Sequence, residues 1–149
     1  MKTGTKILSV IAMAILLAWP AKSSEIKKQI GEARYQKAVA NLLAAIKSAN
    51  IGLRTSATYL LGEFQAEEAV IPLMRLLHNV KKERSRIAAA WALCRIGDAR
   101  GVFAVKQAVR FDESKKVQRL CAWYYNVYVD ANEFAFVPSV TPVEELSSK

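Results

Sequence analysis

The chain has 149 residues and carries 22 Lys and Arg against 13 Asp and Glu, a net charge of +9. With one His and two Cys, this length suits one domain of the usual ~100–200 residues and excludes a large multidomain enzyme, a bundle of transmembrane helices and a disulfide-dense mini-protein. An apolar share of 52% beside 23% charged residues also excludes wholesale disorder.

The first predicted element is an export signal over residues 1–23. Lys2 and Lys6 make a short positive head, and Ile7 to Ala18 is a twelve-residue run broken only by Ser9. Trp19-Pro20 then stops any helix, because proline fixes φ and has no N–H. Ala21 and Ser23 put small residues at the −3 and −1 positions of a cleavage site after Ser23. The apolar run falls short of the roughly 20 residues that cross a bilayer. Cleavage and release are expected, with retention as an anchor the alternative. No membrane insertion is expected after cleavage, and the expected location is the periplasm or the extracellular space. Cleavage removes Lys2, Lys6 and Lys22 and no acid, which lowers the net charge to +6.

Helical signals fill residues 26–129. Apolar residues recur at helical spacing in Val39, Leu42, Leu43 and Ile46, in Leu60, Leu61 and Phe64, and in Val70, Leu73, Leu76 and Leu77. Short polar breaks separate them: Ser48-Ala49-Asn50, Gln65-Ala66, residues 79–83, Gly97-Asp98 and Asp112-Glu113-Ser114. Such lengths join antiparallel helix neighbours. Asp98 is placed to cap the helix after it. Pro72 fits if its helix starts near Glu67-Glu68, since a missing N–H costs little near the first turn.

A shift of 32 residues reveals an internal repeat. Arg54 falls on Arg86, Ala57 on Ala89, Leu61 on Leu93, Phe64 on Ile96 and Leu73 on Val105. A second shift puts Ala90-Trp91 on Ala122-Trp123 and Leu93 on Tyr125. A helix pair of this length cannot bury its apolar stripe alone, so neighbouring copies must stack.

The stretch from Arg86 through paired Ala88-Ala89, Ala92-Leu93 and Ile96-Gly97-Asp98 to Val102 resembles a HEAT repeat. More narrowly, it resembles the short bacterial HEAT-like repeat of the PBS-lyase type. Arg54 to Leu77 is a looser copy, in which Gln65-Ala66 replaces Gly-Asp. The resemblance covers roughly residues 30–129. It implies an all-α fold, a short right-handed α-solenoid of stacked antiparallel helix pairs spanning residues 24–130. It also implies ladders in which Arg54 and Arg86 meet acids such as Asp98, and second helices that face the concave surface. Most relatives of this type are binding scaffolds.

The last helix is dense in aromatics, with Trp123, Tyr124, Tyr125 and Tyr128. They suit a cap over the open end of the stack; an exposed aromatic binding face is the alternative. Residues 131–149 are expected to form a partly disordered tail, docked through Phe134, Phe136 and Val137.

Little in the sequence supports catalysis. His78 is the only His and no metal-ligand spacing surrounds it. Cys94 and Cys121 are 27 residues apart, and the repeat register offsets them by about 7.5 Å along neighbouring helices. Two buried thiols are favoured over a bridge, which needs Cα atoms within about 7 Å. No Gly-rich phosphate loop is present, and neither Glu67-Glu68 nor Glu144-Glu145 makes an acid–base pair, since adjacent helical residues point apart. No cofactor and no enzymatic activity are expected.

The basic residues remain. Arg75, His78, Lys106, Gln107 and Arg110 avoid the apolar stripes of the second helices and are expected on the concave face. Lys81-Lys82 and Lys115-Lys116 recur near the repeat period and are expected along one rim. A basic concavity favours an acidic partner, although charged helix faces are often plain solvated surface. The expected function is a non-catalytic, protein-binding scaffold or adaptor exported from the cytoplasm. The alternatives are binding of an anionic envelope polymer or lipid head group by the basic rim, or an accessory subunit of an envelope enzyme. Nucleic acid suits the charge but not the compartment.

Overall fold

The computed structural model describes residues 22–135. The apolar run expected to direct export and residues 136–149 lie outside the described residues. The expected cleavage bond after Ser23 falls in the first turn of the first described helix.

Seven α-helices and no strand occur among the described residues. They are α1 (Lys22–Ile30), α2 (Glu32–Ala45), α3 (Ile51–Glu63), α4 (Val70–Asn79), α5 (Glu83–Ile96), α6 (Ala99–Phe111) and α7 (Lys115–Tyr128). None is long and apolar enough to cross a membrane. Gly31, at φ 83°, separates α1 from α2, a break the residue pattern had not disclosed. α3, α5 and α7 pack side by side as one layer. α4 and α6 form the other, α4 lying against α5 and α6 against α7. This arrangement is an all-α solenoid of HEAT-like form.

The 32-residue period is written in the hydrogen bonds as well as in the side chains. The Arg54 guanidinium donates to the Ser48 carbonyl, at 2.6 and 3.0 Å. Arg86 donates to the Val80 carbonyl at 3.0 Å, and Gln118 to the Asp112 carbonyl at 2.6 Å. Each ties the linker to the helix that follows it and satisfies a carbonyl exposed by the chain reversal. The helix caps repeat too. The Asn50 side chain accepts from Leu53 N–H and Ser114 Oγ from Val117 N–H. Between them, Lys82 holds the equivalent position of α5 with no side-chain cap.

Turns after the first helices follow the same register. Gly97 ends α5 at φ 76°, its N–H donating to the Leu93 carbonyl. Left-handed backbone suits glycine there. Thirty-two residues earlier, Gln65 takes φ 48°, and its side-chain amide donates to the Arg95 carbonyl at 3.0 Å. Ala66 to Ala69 then make a tight turn before α4, placing Pro72 in that helix's first turn.

Small residues set the approach of α3 to α5. Ala88, Ala89, Ala90 and Ala92 have no exposed surface. A Cβ on Gly62 would lie 2.7 Å from the Trp91 ring and 2.8 Å from the Ala92 backbone. Leu61, Leu73, Leu93, Val105 and Val117 fill the space between the layers and are fully buried. Cys94 and Cys121 join this core as free thiols, and burial pushes the Cys94 thiol up to about 12 and raises that of Cys121. Both are therefore protonated, inert packing groups at neutral pH.

The last helix closes the stack only in part. Tyr124 and Tyr125 are buried, and burial, more than the nearby Tyr59 and Cys121, pushes the Tyr124 phenol up to about 12. Tyr128 meets Trp91 edge-on at 6.5 Å and accepts a hydrogen bond from its indole N–H. Trp123 stays 43% exposed, so the aromatic cluster is divided between cap and surface. Phe134 docks as expected, meeting the Tyr125 ring at 5.2 Å. Phe136 and Val137 lie outside the described residues.

Candidate interaction site

Two features of α4 and α6 generate the site. Their inner stripes, Leu73, Leu76 and Leu77 on α4 and Val105 on α6, are buried against the first-helix layer. Their outer faces then carry residues off those stripes. The exposed ones include Ile71 on α4 and Phe103 and Phe111 on α6, at 40%, 60% and 75% exposure. A groove of about 800 Å³ runs between the helices, lined by these three together with Met74, Ala104 and Ala108. Phe103 and Phe111 are eight residues apart, about 12 Å along the helix axis. They offer two apolar anchors on one rigid rod.

Arg75, His78 and Gln107 line the same groove. Lys106 and Arg110 do not line it. Lys106 turns toward the chain beyond α7, pairing with Glu133 and lying 5.7 Å from the Tyr125 ring centre. Its ammonium pKa is raised, chiefly by the hydrogen bond to Glu133. Lys106 therefore fastens the chain end, and Arg110 projects from the exposed side of α6. The sequence pattern missed this because Glu133 comes after the last repeat and has no periodic counterpart.

Lys81 and Lys82 lie in the linker before α5, and Lys115 and Lys116 open α7; all four are exposed. Ser114 Oγ donates to Glu83 Oε1 at 2.6 Å, which holds the two helix starts together. The four lysines thus share one end of the first-helix layer, the end at which α6 finishes with Phe111.

One end of the groove holds Arg86, the one charged residue that is buried among the described residues. Arg86 is 4% exposed and meets Asp112 at 3.0 Å and Glu113 at 3.3 Å. It also donates to the carbonyls of Val80 and Lys81. The acid expected for Arg86 was Asp98, and that pairing is corrected. Asp98 Oδ1 accepts from the Arg100 N–H at 2.9 Å and both carboxylate oxygens bind its guanidinium. The side-chain bond to Arg100 dominates in holding the Asp98 carboxyl down at about 2. Asp98 does cap α6, as expected. Among the described residues Arg54 meets no acid, because the counterpart of Asp112 one repeat earlier is Val80.

No group of three or more His, Cys, Asp or Glu side chains that could hold a metal ion occurs among the described residues. The groove instead combines an apolar wall, the Arg75 guanidinium and His78 imidazole, the Gln107 amide between the two phenylalanines, and the Arg86–Asp112–Glu113 cluster at one end. Such a surface can bury apolar side chains and select the charge beside them. No curated protein matches the chain. The HEAT-repeat family model matches residues 24–94, and the PBS lyase HEAT-like repeat model matches residues 85–109. Stacked helix pairs and a 32-residue echo in bonds and caps agree with these two matches, and residues 24–109 are thus similar to HEAT-type repeats.

Proposed function

We propose that the chain is a non-catalytic adaptor that works outside the cytoplasm and holds a partner protein in the groove between α4 and α6. HEAT repeats generally mediate protein–protein contacts, which supports the class of function. The observation that carries the choice of surface is the exposure of Ile71, Phe103 and Phe111 on facing helices. Apolar side chains grouped in one concavity mark an interaction site far better than scattered ones. An acidic partner suits the Arg75 guanidinium in the groove and the Lys81-Lys82 linker that follows Asn79 at its end. Export rests on the Lys-headed apolar run of residues 1–18.

The test is capture of partners from an envelope fraction at physiological salt, comparing the natural chain with a Phe103→Ser/Phe111→Ser variant. The reading expects a protein retained by the first and lost by the second. Equal recovery by both would remove the groove from the account.

A second reading is favoured by the shared position of Lys81, Lys82, Lys115 and Lys116. That cluster suits an anionic polymer or lipid head group. Binding of this kind weakens steeply with salt, because exposed charges are screened beyond about 8–10 Å. Charge reversal at Lys115 and Lys116 would abolish it while leaving capture by the apolar groove intact.

A further inference from the structure

A second groove, of about 360 Å³, opens on the far side of α6, along α7. Val109, Ala122 and Trp123 give it an apolar floor, and Lys115 and Arg119 stand at one end. Phe134 and Ala135 line the other end. The chain enters there under tight control. Its reversal after α7 is fixed by two bonds to the Asn126 side chain, which accepts from the Phe134 N–H at 3.1 Å and donates to its carbonyl at 2.6 Å. The Tyr125–Phe134 ring contact and the Lys106–Glu133 ion pair hold the same turn. Phe134 and Ala135 are therefore delivered beside Asn126.

We propose that this groove is the seat of the chain's own residues 136–149, which close the open end of the repeat stack. Three observations select this occupant. The first is continuity, since Ala135 already forms part of the groove wall. The second is length. From Asn126 to Lys115 is eleven residues of helix, about 16 Å, and the five residues Phe136 to Val140 span about 17 Å when extended. The third is the match of character along that path. Phe136, Val137 and Val140 would cover the exposed Trp123 and its neighbours. Glu144 and Glu145 would follow next to Lys115, Lys116 and Arg119. A terminal repeat needs such a cover, because its outer face has no neighbour to bury it.

The test compares the chain with and without residues 136–149, after circular dichroism confirms that both remain helical. A fluorescent peptide of residues 136–149 is added to the shortened chain and followed by polarisation. Saturable binding to the shortened chain is expected, with at least tenfold weaker binding to the full chain, whose groove is filled. A peptide carrying F136S and V137S should not bind. Hydrogen exchange in residues 115–126 should be at least tenfold faster in the shortened chain and in a full-length F136S/V137S variant. No peptide binding, together with equal exchange in all three proteins, would overturn the proposal. So would a full chain that sediments as a dimer and a shortened one that sediments as a monomer, which would assign the groove to a second copy.

Discussion

The same 32-residue unit builds two layers that behave differently. Between α3 and α5, glycine and alanine bring the backbones so close that a single added Cβ at Gly62 would meet the neighbouring main chain at 2.8 Å. Between α4 and α6, larger side chains keep the helices apart and leave a groove of about 800 Å³ with two phenylalanines facing outward. The difference lies in which residues stand off the buried stripe. Where one first helix meets the next, as at Gly62, Ala88, Ala89 and Ala92, those positions are small, although Leu53, Tyr59 and Leu60 stay exposed elsewhere on α3. On the second helices the groove-lining positions carry larger apolar or charged groups. The close layer supplies rigidity, and the open layer can use that rigidity to present a fixed pair of anchors.

Four kinds of change break or sharpen this contrast. The largest effect is expected at the buried end of the close layer. Arg86→Met leaves Asp112 as an uncompensated buried carboxylate, since both partners are under 10% exposed. Loss of one member of such a pair costs about 3–5 kcal/mol, read as a fall in the urea midpoint. Arg54→Met, which loses only bonds to the Ser48 carbonyl, should cost about 1.5–3 kcal/mol. Next comes Gly62→Ala. Forcing α3 away from α5 should cost about 1–3 kcal/mol. The same change at Gly101 meets mainly the Leu93 side-chain end at 2.8 Å, which can swing aside, and should cost less.

Caps give a smaller and signed effect. Ser114→Ala should lose about 1 kcal/mol, and Lys82→Ser should gain up to about 1 kcal/mol by supplying the bond that α5 lacks. Thermal unfolding of the two single variants checks both signs. The smallest effect is the acid limb at Asp98. Its carboxyl is held below the usual carboxylate range, so the bond to Arg100 is fully present above about pH 4. It is lost as the pH falls toward 2, and Asp98→Asn should flatten stability across that interval. A variant with an unchanged pH profile there would show that Asp98 does not stabilise α6 through its charge.

Much of the fold was legible because a repeat states its own register several times. Helices, linkers, the Asp98 cap and the first-turn position of Pro72 all follow from spacing. The sites were less legible, for reasons that particular residues make plain. Asp112 pairs with Arg86 across 26 residues, outside the period, so no shift of the sequence aligns them. Lys106 is captured by Glu133, which belongs to no repeat. Phe103 and Phe111 were available as a signal, since they fall beside the stripe of Val102, Val105 and Val109 rather than on it. An aromatic off the buried stripe of a solenoid helix is thus as informative as a lysine there.

One repeat makes a closed layer and an open one, and urea unfolding of the Phe103→Ser/Phe111→Ser variant tests that contrast directly. Exposed side chains away from buried features change stability by about 0.5 kcal/mol or less each, so the double variant should stay within about 1 kcal/mol of the natural chain. A loss of about 3 kcal/mol or more at each position, the size expected for a buried phenylalanine, would show that both rings belong to the core and that the groove is closed.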